Sequence, residues 1–288
     1  MTARPEWLKQ KGTEQKIFED MGRMFESLTL HTVCESADCP NIGKCFENKT
    51  ATFMIMGEIC TRGCRFCAVQ KGMAMPLDSE EPLHVATACR QLGLKHIVVT
   101  SVTRDDLKDG GAAHFAKTVH EIKQLNRTST IELLIPDLKG NWDALAEIIA
   151  SRPDVINHNI ETVPELYNKV RPQAIYKRSL ELIAKVKEID GKILTKSGMM
   201  LGLGETESQV IKVMEDLLAA DCDMLTLGQY LRPSDQHFPV HDYIEPQKFE
   251  SLRELALEMG FKYVASGPLV RSSYQAFKGM EQLKISSM

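Results

Sequence analysis

From residue 51 onward the chain alternates short, near-continuous apolar runs with longer stretches of helical period. The runs are ATFMIMG (Ala51–Gly57), HIVVTS (His96–Ser101), TIELLIP (Thr130–Pro136), DVINHNI (Asp154–Ile160), KILTKSGMML (Lys192–Leu201) and DMLTLGQYL (Asp223–Leu231). Each is bounded by polar or turn residues, the pattern of strands buried on both faces. Helices are predicted at Pro82–Leu92, Ala112–Leu125, Asn141–Ala150, Ser179–Ile189, Ser208–Ala220 and Pro246–Met259. Pro82 suits a first helical turn. Gly93 and Gly260 stand where left-handed C-caps belong. Strands alternating with helices of this length indicate parallel βαβ units. Six units fit an open barrel or a doubly wound sheet, and the pattern alone does not choose. Residues 1–50 read as a polar segment with one helix, Glu14–Leu28, and Lys278–Met288 as a loose tail.

With 43% hydrophobic and 26% charged residues, disorder is excluded and a large core is expected. A formal charge of −4 offers no basic excess for nucleic acid. No run approaches the roughly 18 apolar residues of a membrane span. The polar start MTARPEWLKQKGTEQK lacks the apolar core of a secretory signal. The expectation is a cytoplasmic protein with no membrane partner.

The cysteines change this picture most. Six of the eight lie between Cys34 and Cys67. In a reducing compartment such a cluster is a metal site more often than a disulfide framework. Cys60, Cys64 and Cys67 form CxxxCxxC directly after the first strand, at the strand end where α/β folds carry their chemistry. Three closely spaced thiolates suit an iron–sulfur cubane with one iron left open. A structural zinc ion prefers a closed set of four ligands and is the weaker reading.

A second triplet, Cys34, Cys39 and Cys45, precedes the first strand. It offers three more thiolates, which the first triplet cannot share because each cubane iron takes its own ligand. The competing reading is a zinc knuckle completed by His31. Cys89 and Cys222 have no partners in sequence and read as packing residues.

CxxxCxxC with Phe66 before its last cysteine resembles the radical S-adenosylmethionine (SAM) superfamily. The upstream CxxxxCxxxxxC narrows the resemblance to lipoyl synthases. RPEWLK (Arg4–Lys9), CPNIGKC (Cys39–Cys45), SVTRDD (Ser101–Asp106), DGGA (Asp109–Ala112), NHNIET (Asn157–Thr162), MLGLGET (Met200–Thr206), GQYLRPS (Gly228–Ser234) and GPLVRSSY (Gly267–Tyr274) follow in that family's order. Together they span nearly the whole chain.

The resemblance implies an α/β fold, a partial (β/α)6 TIM-like barrel at residues 51–235. It would have an N-terminal extension at 1–50 with the auxiliary-cluster cysteines and a C-terminal extension at 236–288. It implies two [4Fe–4S] clusters and SAM as cofactors. Cys60, Cys64 and Cys67 would hold the cluster that cleaves SAM to a 5′-deoxyadenosyl radical. Cys34, Cys39, Cys45 and Ser273 would hold an auxiliary cluster. Asn159 and Glu161, two apart and on one side if their strand continues, would contact the ribose. Gly202 and Gly204 would lie near the adenine. Gln275 stands where many members carry histidine, and glutamine cannot titrate. Arg104, Asp105 and Asp106 are candidates for holding SAM or capping the next helix, and Lys196 and Arg232 are candidate anion contacts.

The implied reaction inserts sulfur at C6 and C8 of an octanoyl group on a carrier-protein lysine, with the auxiliary cluster as donor. The implied partners are octanoylated carriers (the glycine cleavage H protein, lipoyl domains of 2-oxoacid dehydrogenases), an electron donor such as ferredoxin or flavodoxin, and an iron–sulfur carrier for cluster repair. Alternatives are a methylthiotransferase, which usually adds a recognition domain, and a non-catalytic iron–sulfur carrier.

Overall fold

The computed structural model describes residues 5–9, 15–48, 50–274 and 276–286. The chain packs as two compact units, one of Lys11–Gly63 and Ala68–Ile156, the other of Met1–Gln10, Cys64–Cys67 and Asn157–Met288.

In the first unit, α1 (Gln15–Ser27) leads to the short strand β1 (His31–Thr32), then α2 (Val33–Ser36), α3 (Ile42–Glu47) and β2 (Thr52–Ile55). β1 runs antiparallel to β2, His31 opposite Met54 and Thr32 opposite Phe53. Two-residue β3 (Ile59–Cys60) and β4 (Gln70–Lys71) pair in parallel, closing the base of the cysteine loop. Then come α4 (Glu81–Leu92), β5 (His96–Ser101), α5 (Ala112–Leu125), β6 (Thr130–Leu134), α6 (Trp142–Ala150) and β7 (Val155–Asn157). The strand order is β1-β2-β5-β6-β7. Phe25 meets Phe46 and Phe53 edge-on, and Phe46 also meets Phe18, so aromatic packing ties α1 and α3 to β2.

The second unit contains α7 (Tyr167–Val170), α8 (Tyr176–Ile189), β8 (Leu194–Leu201), α9 (Glu207–Ala219), β9 (Met224–Gln229), α10 (Pro246–Met259), β10 (Tyr263–Gly267) and α11 (Ala276–Ser286). β8, β9 and β10 are neighbours in that order and parallel. Leu225, Leu227, Val213, Leu217 and Phe249 are among the buried side chains that weld the strands to α9 and α10. In each unit the parallel strands follow chain order without the reversal that marks a doubly wound sheet. Sequential winding belongs to a barrel, and the fold is the expected α/β class.

Local signals hold well. α5 and α10 match the predicted bounds, and Gly93 (φ 66°) and Gly260 (φ 119°) are left-handed C-caps. Two expectations change. The fourth strand stops at Asn157, because buried polar side chains replace the apolar run from there. The tail is helical over Ala276–Ser286, with Ala276 and Met280 buried one turn apart. β10 was not foreseen, because the small residues of YVASG interrupt its apolar run.

Candidate active site

The upstream cysteines are pinned by backbone. Thr32, at the end of β1, caps α2 by accepting from the Glu35 amide at 3.3 Å. Cys34 follows on the first turn, and its carbonyl accepts from the Cys39 amide at 3.0 Å. Cys45 lies in α3, its amide donating to Asn41 at 2.9 Å and its carbonyl accepting from the Thr50 amide at 2.8 Å. The three thiols sense one another. Burial pushes Cys34 up to about 12, and charge on Cys39 and Cys45 adds to the shift. Burial, then charge on Cys39, also raises Cys45. Burial thus favours the protonated forms of Cys34 and Cys45, and a bound cation would have to compensate their thiolate charge. Among the described residues no group of three or more His, Cys, Asp or Glu side chains is gathered as for a metal ion.

The base of the second cysteine loop is equally ordered. Cys60 Sγ accepts from the amides of Thr103 (3.3 Å) and Arg62 (3.4 Å). The Thr61 amide and hydroxyl both donate to the Thr103 carbonyl, at 3.0 and 2.9 Å. Arg62 forks onto Asp105 at 2.8 and 3.0 Å and reaches Asp137 at 2.5 Å. Burial opposes the guanidinium charge, but hydrogen bonds to Asp105 and Asp137 outweigh it and hold its pKa above the ordinary arginine value. Backbone amides donating to a cysteine sulfur in this way fit an iron–sulfur ligand. Asp105 thus serves Arg62, and Asp106 pairs with Arg104 at 2.8 Å. The next helix is capped by Asp109 instead, which accepts from the Gly111 and Ala113 amides at 3.0 Å each.

In the other unit, the loop tip Cys64–Cys67 is held at both edges. The Arg65 amide donates to the Val170 carbonyl at 2.8 Å, and its own carbonyl accepts from the Phe238 amide at 2.8 Å. The Arg65 guanidinium stacks over Phe238, 5.4 Å from the ring centre. Phe66 packs against the group of Val170, Leu203 and Tyr230. His237 Nε2 lies 3.1 Å from the Cys67 carbonyl. Arg232 is no spare anion contact: its Nε donates to the His237 carbonyl at 2.9 Å. Sequence reasoning missed His237, since a lone histidine in a loop carries no spacing signal.

Asn159 and Glu161 do meet, but not as strand neighbours. Glu161 sits at φ 65°, a costly conformation for a non-glycine residue. Its amide donates to Gly198 and its carbonyl accepts from Met200, at 2.9 Å each, which locks that conformation. Asn159 Nδ2 donates to Glu161 Oε1 at 3.1 Å and to Ser272 Oγ at 3.3 Å. Burial raises the Glu161 pKa, opposed by Arg171 charge and the Asn159 bond. The buried Asn159 Oδ1 has no hydrogen-bond partner and lies against Gly198 of β8, where an added Cβ would stand 2.7 Å from it. The RSSY turn, Arg271 to Tyr274, follows β10, with Ser272 beside Asn159 and Ser273 accepting through its carbonyl from the Ala276 amide at 3.3 Å. Gln275 lies outside the described residues.

Gly202 (φ 94°) and Gly204 (φ 109°) form a turn after β8. Glu205 caps it, accepting from the Gly202 and Leu203 amides at 2.5 and 2.9 Å. Space beside Gly202 is filled by the protein itself, since a Cβ there would lie 2.3 Å from Asp242 O and Gln229 Nε2. Beside Gly204 the first atom is a His241 ring carbon at 3.5 Å. Cys89 and Cys222 are buried, burial pushing Cys222 up to about 12, as packing thiols should be.

Residues 54–217 match the Radical SAM superfamily. Among solved structures, methylornithine synthase shares the fold with a TM-score of 0.56 at 16% identity, over 82% of this chain and 81% of that one. The maturase HydG gives 0.55 at 13% identity, over 74% and 55%. The family match over more than half of the chain defines a radical SAM enzyme, with SAM and [4Fe–4S] clusters as cofactors. Curated relatives narrow this. A lipoyl synthase of Caldanaerobacter subterraneus subsp. tengcongensis is 59% identical over 97% of this chain and 98% of its own length. One from Alkaliphilus metalliredigens is 53% identical over 97% and 96%. The chain belongs to the lipoyl synthase family. A methylthiotransferase or passive iron–sulfur carrier is not what these relatives are.

No helix among the described residues is long and apolar enough to cross a membrane.

Proposed function

We propose that the enzyme inserts two sulfur atoms, at C6 and C8, into an octanoyl group carried on a lysine of a lipoyl-carrier protein. The observation that carries this reading is the pair of cysteine triplets in a chain of this family, each triplet fixed by backbone hydrogen bonds. Cys60, Cys64 and Cys67 hold the cluster that binds SAM, and Cys34, Cys39, Cys45 and Ser273 hold the auxiliary one. When bound, these groups supply the hydrogen-abstracting radical and the sulfur; the protein supplies position and a dry site. Asn159 and Glu161 take the ribose hydroxyls, a carboxylate being able to accept both. The Gly202–Gly204 turn flanks the adenine. Serine is a hard ligand beside soft thiolates, which suits a cluster that is to be dismantled.

Residues 1–50, 51–235 and 236–288 then divide the labour: auxiliary ligands, radical chemistry, and the serine ligand. The partners are an octanoylated H protein or lipoyl domain, a low-potential donor such as ferredoxin or flavodoxin, and a cluster-repair carrier. So many thiols suit a reducing cytoplasm.

The test is anaerobic. Reconstituted protein, SAM, a strong reductant and an octanoyl-lysine peptide are combined, and the peptide is followed by mass spectrometry. Gain of two sulfurs, with methionine and 5′-deoxyadenosine formed, is expected. SAM cleavage with an unchanged peptide would overturn the substrate assignment.

A further inference from the structure

Arg62 is not among the cluster ligands, yet it is among the most heavily invested side chains of the cysteine loop. It is 5% exposed and sits between two carboxylates, Asp137 at 0% and Asp105 at 19% side-chain exposure. Asp105 follows β5, and Asp137 follows β6. The cysteine loop, which follows β2, is therefore tied by one guanidinium to the ends of two other strands. The tie is doubled by backbone. The Asp105 amide donates to Thr61 Oγ1 at 3.0 Å, and Lys139 binds the same junction, Nζ to the Asp105 carbonyl at 3.0 Å and amide to Asp137 at 3.1 Å.

The outcome of this bracing is seen at one atom. The amides of Arg62 and Thr103 approach Cys60 Sγ from two chain segments, at 3.4 and 3.3 Å. Hydrogen bonds to a cluster sulfur stabilise the extra electron of the reduced state and raise the potential. They do so only while both donors stay aimed. Charge acts in the same sense. Losing the guanidinium would remove one positive charge from between Asp105 and Asp137, leaving Lys139 as the cation at this junction and making the site less hospitable to the added electron.

We propose that Arg62 is a positioning residue for the SAM-cleaving cluster: by clamping Asp105 and Asp137 it holds two amides on Cys60 Sγ and thereby sets the cluster's reduction potential. This rests on the reading of Cys60, Cys64 and Cys67 as that cluster's ligands. Lysine would keep the charge but lose the planar fork that grips both carboxylates.

The test is a redox titration followed by electron paramagnetic resonance, on holoenzyme of wild type, Arg62→Met and Arg62→Lys. Bound iron and sulfide are measured in each, and the SAM-responsive signal identifies the cluster concerned. Arg62→Met is expected to lower the midpoint enough to shift the oxidised-to-reduced ratio tenfold, about 59 mV for one electron. Arg62→Lys should fall between. Loss of this cluster from both variants, with apoproteins melting at the wild-type temperature, would overturn the potential-setting role and make Arg62 an assembly residue instead. A wild-type potential in either loaded variant would overturn it, as would failure of both apoproteins to fold, which would make Arg62 structural only. A SAM-responsive cluster that survives Cys60→Ala would instead overturn the ligand reading.

Discussion

Asn159 donates its side-chain amide to the Glu161 carboxylate at 3.1 Å across a backbone that turns left-handed at Glu161. The residues are two apart, but the strand that would have aligned them ends at Asn157. Their meeting depends on the turn, and the turn is secured by Gly198 and Met200 on β8.

Glu161→Gln separates binding from stability. SAM affinity should fall at least about tenfold, the value of a charge-assisted hydrogen bond. Stability should move the other way. Burial raises the folded pKa of Glu161 above its unfolded value despite Arg171 and Asn159. Wild type therefore loses stability as pH rises from the unfolded pKa through the folded one. The glutamine apoprotein should melt higher than wild type at neutral pH, and the gap should close below about pH 4. Calorimetry across pH, with SAM titration at neutral pH, reads both effects.

Gly198→Ala tests the same corner from the sheet. A Cβ there would lie 2.6 Å from Thr226 Oγ1 and 2.7 Å from Asn159 Oδ1. Overpacking should cost about 1–3 kcal/mol. Because Asn159 must yield, SAM binding should weaken as well. Denaturant unfolding and SAM titration of the one variant are the measurements.

The two glycines after β8 should differ. Gly202→Ala meets backbone and the Gln229 amide at 2.3 Å in addition to left-handed strain, and should cost about 3 kcal/mol. Gly204→Ala meets only ordinary contact and should cost about 1–2 kcal/mol. Urea unfolding of the two apoproteins ranks them.

Much of this was legible in the sequence, and the reason is local. Apolar runs, capping glycines and cysteine spacing are read within a few residues, so the helices, most strands and both thiol triplets were accessible. What escaped depends on residues far apart. Arg232 resembled an anion contact until its partner His237 was visible, and Asp105 resembled a helix cap until Arg62 was found on it. β10 pairs through backbone with little apolar side chain, and Ala276 with Met280 shows its burial only once the helix is formed.

Cys34 supplies a chemical prediction. A thiol pushed up to about 12 is only about one part in ten thousand thiolate at pH 8. In the apoprotein it should alkylate far more slowly than the more exposed Cys39 and Cys45, and all three should be protected once clusters are rebuilt. Peptide mapping after timed iodoacetamide treatment gives the order.

The central claim is that the auxiliary site provides the sulfur. The protein should be reconstituted with sulfide of a heavy sulfur isotope and allowed one turnover on an octanoyl-lysine peptide without free sulfide. Mass spectrometry should find both inserted sulfurs heavy, and no insertion after Cys34→Ala, Cys39→Ala and Cys45→Ala are combined. Light sulfur in the product, or full insertion by the triple variant, would contradict the account.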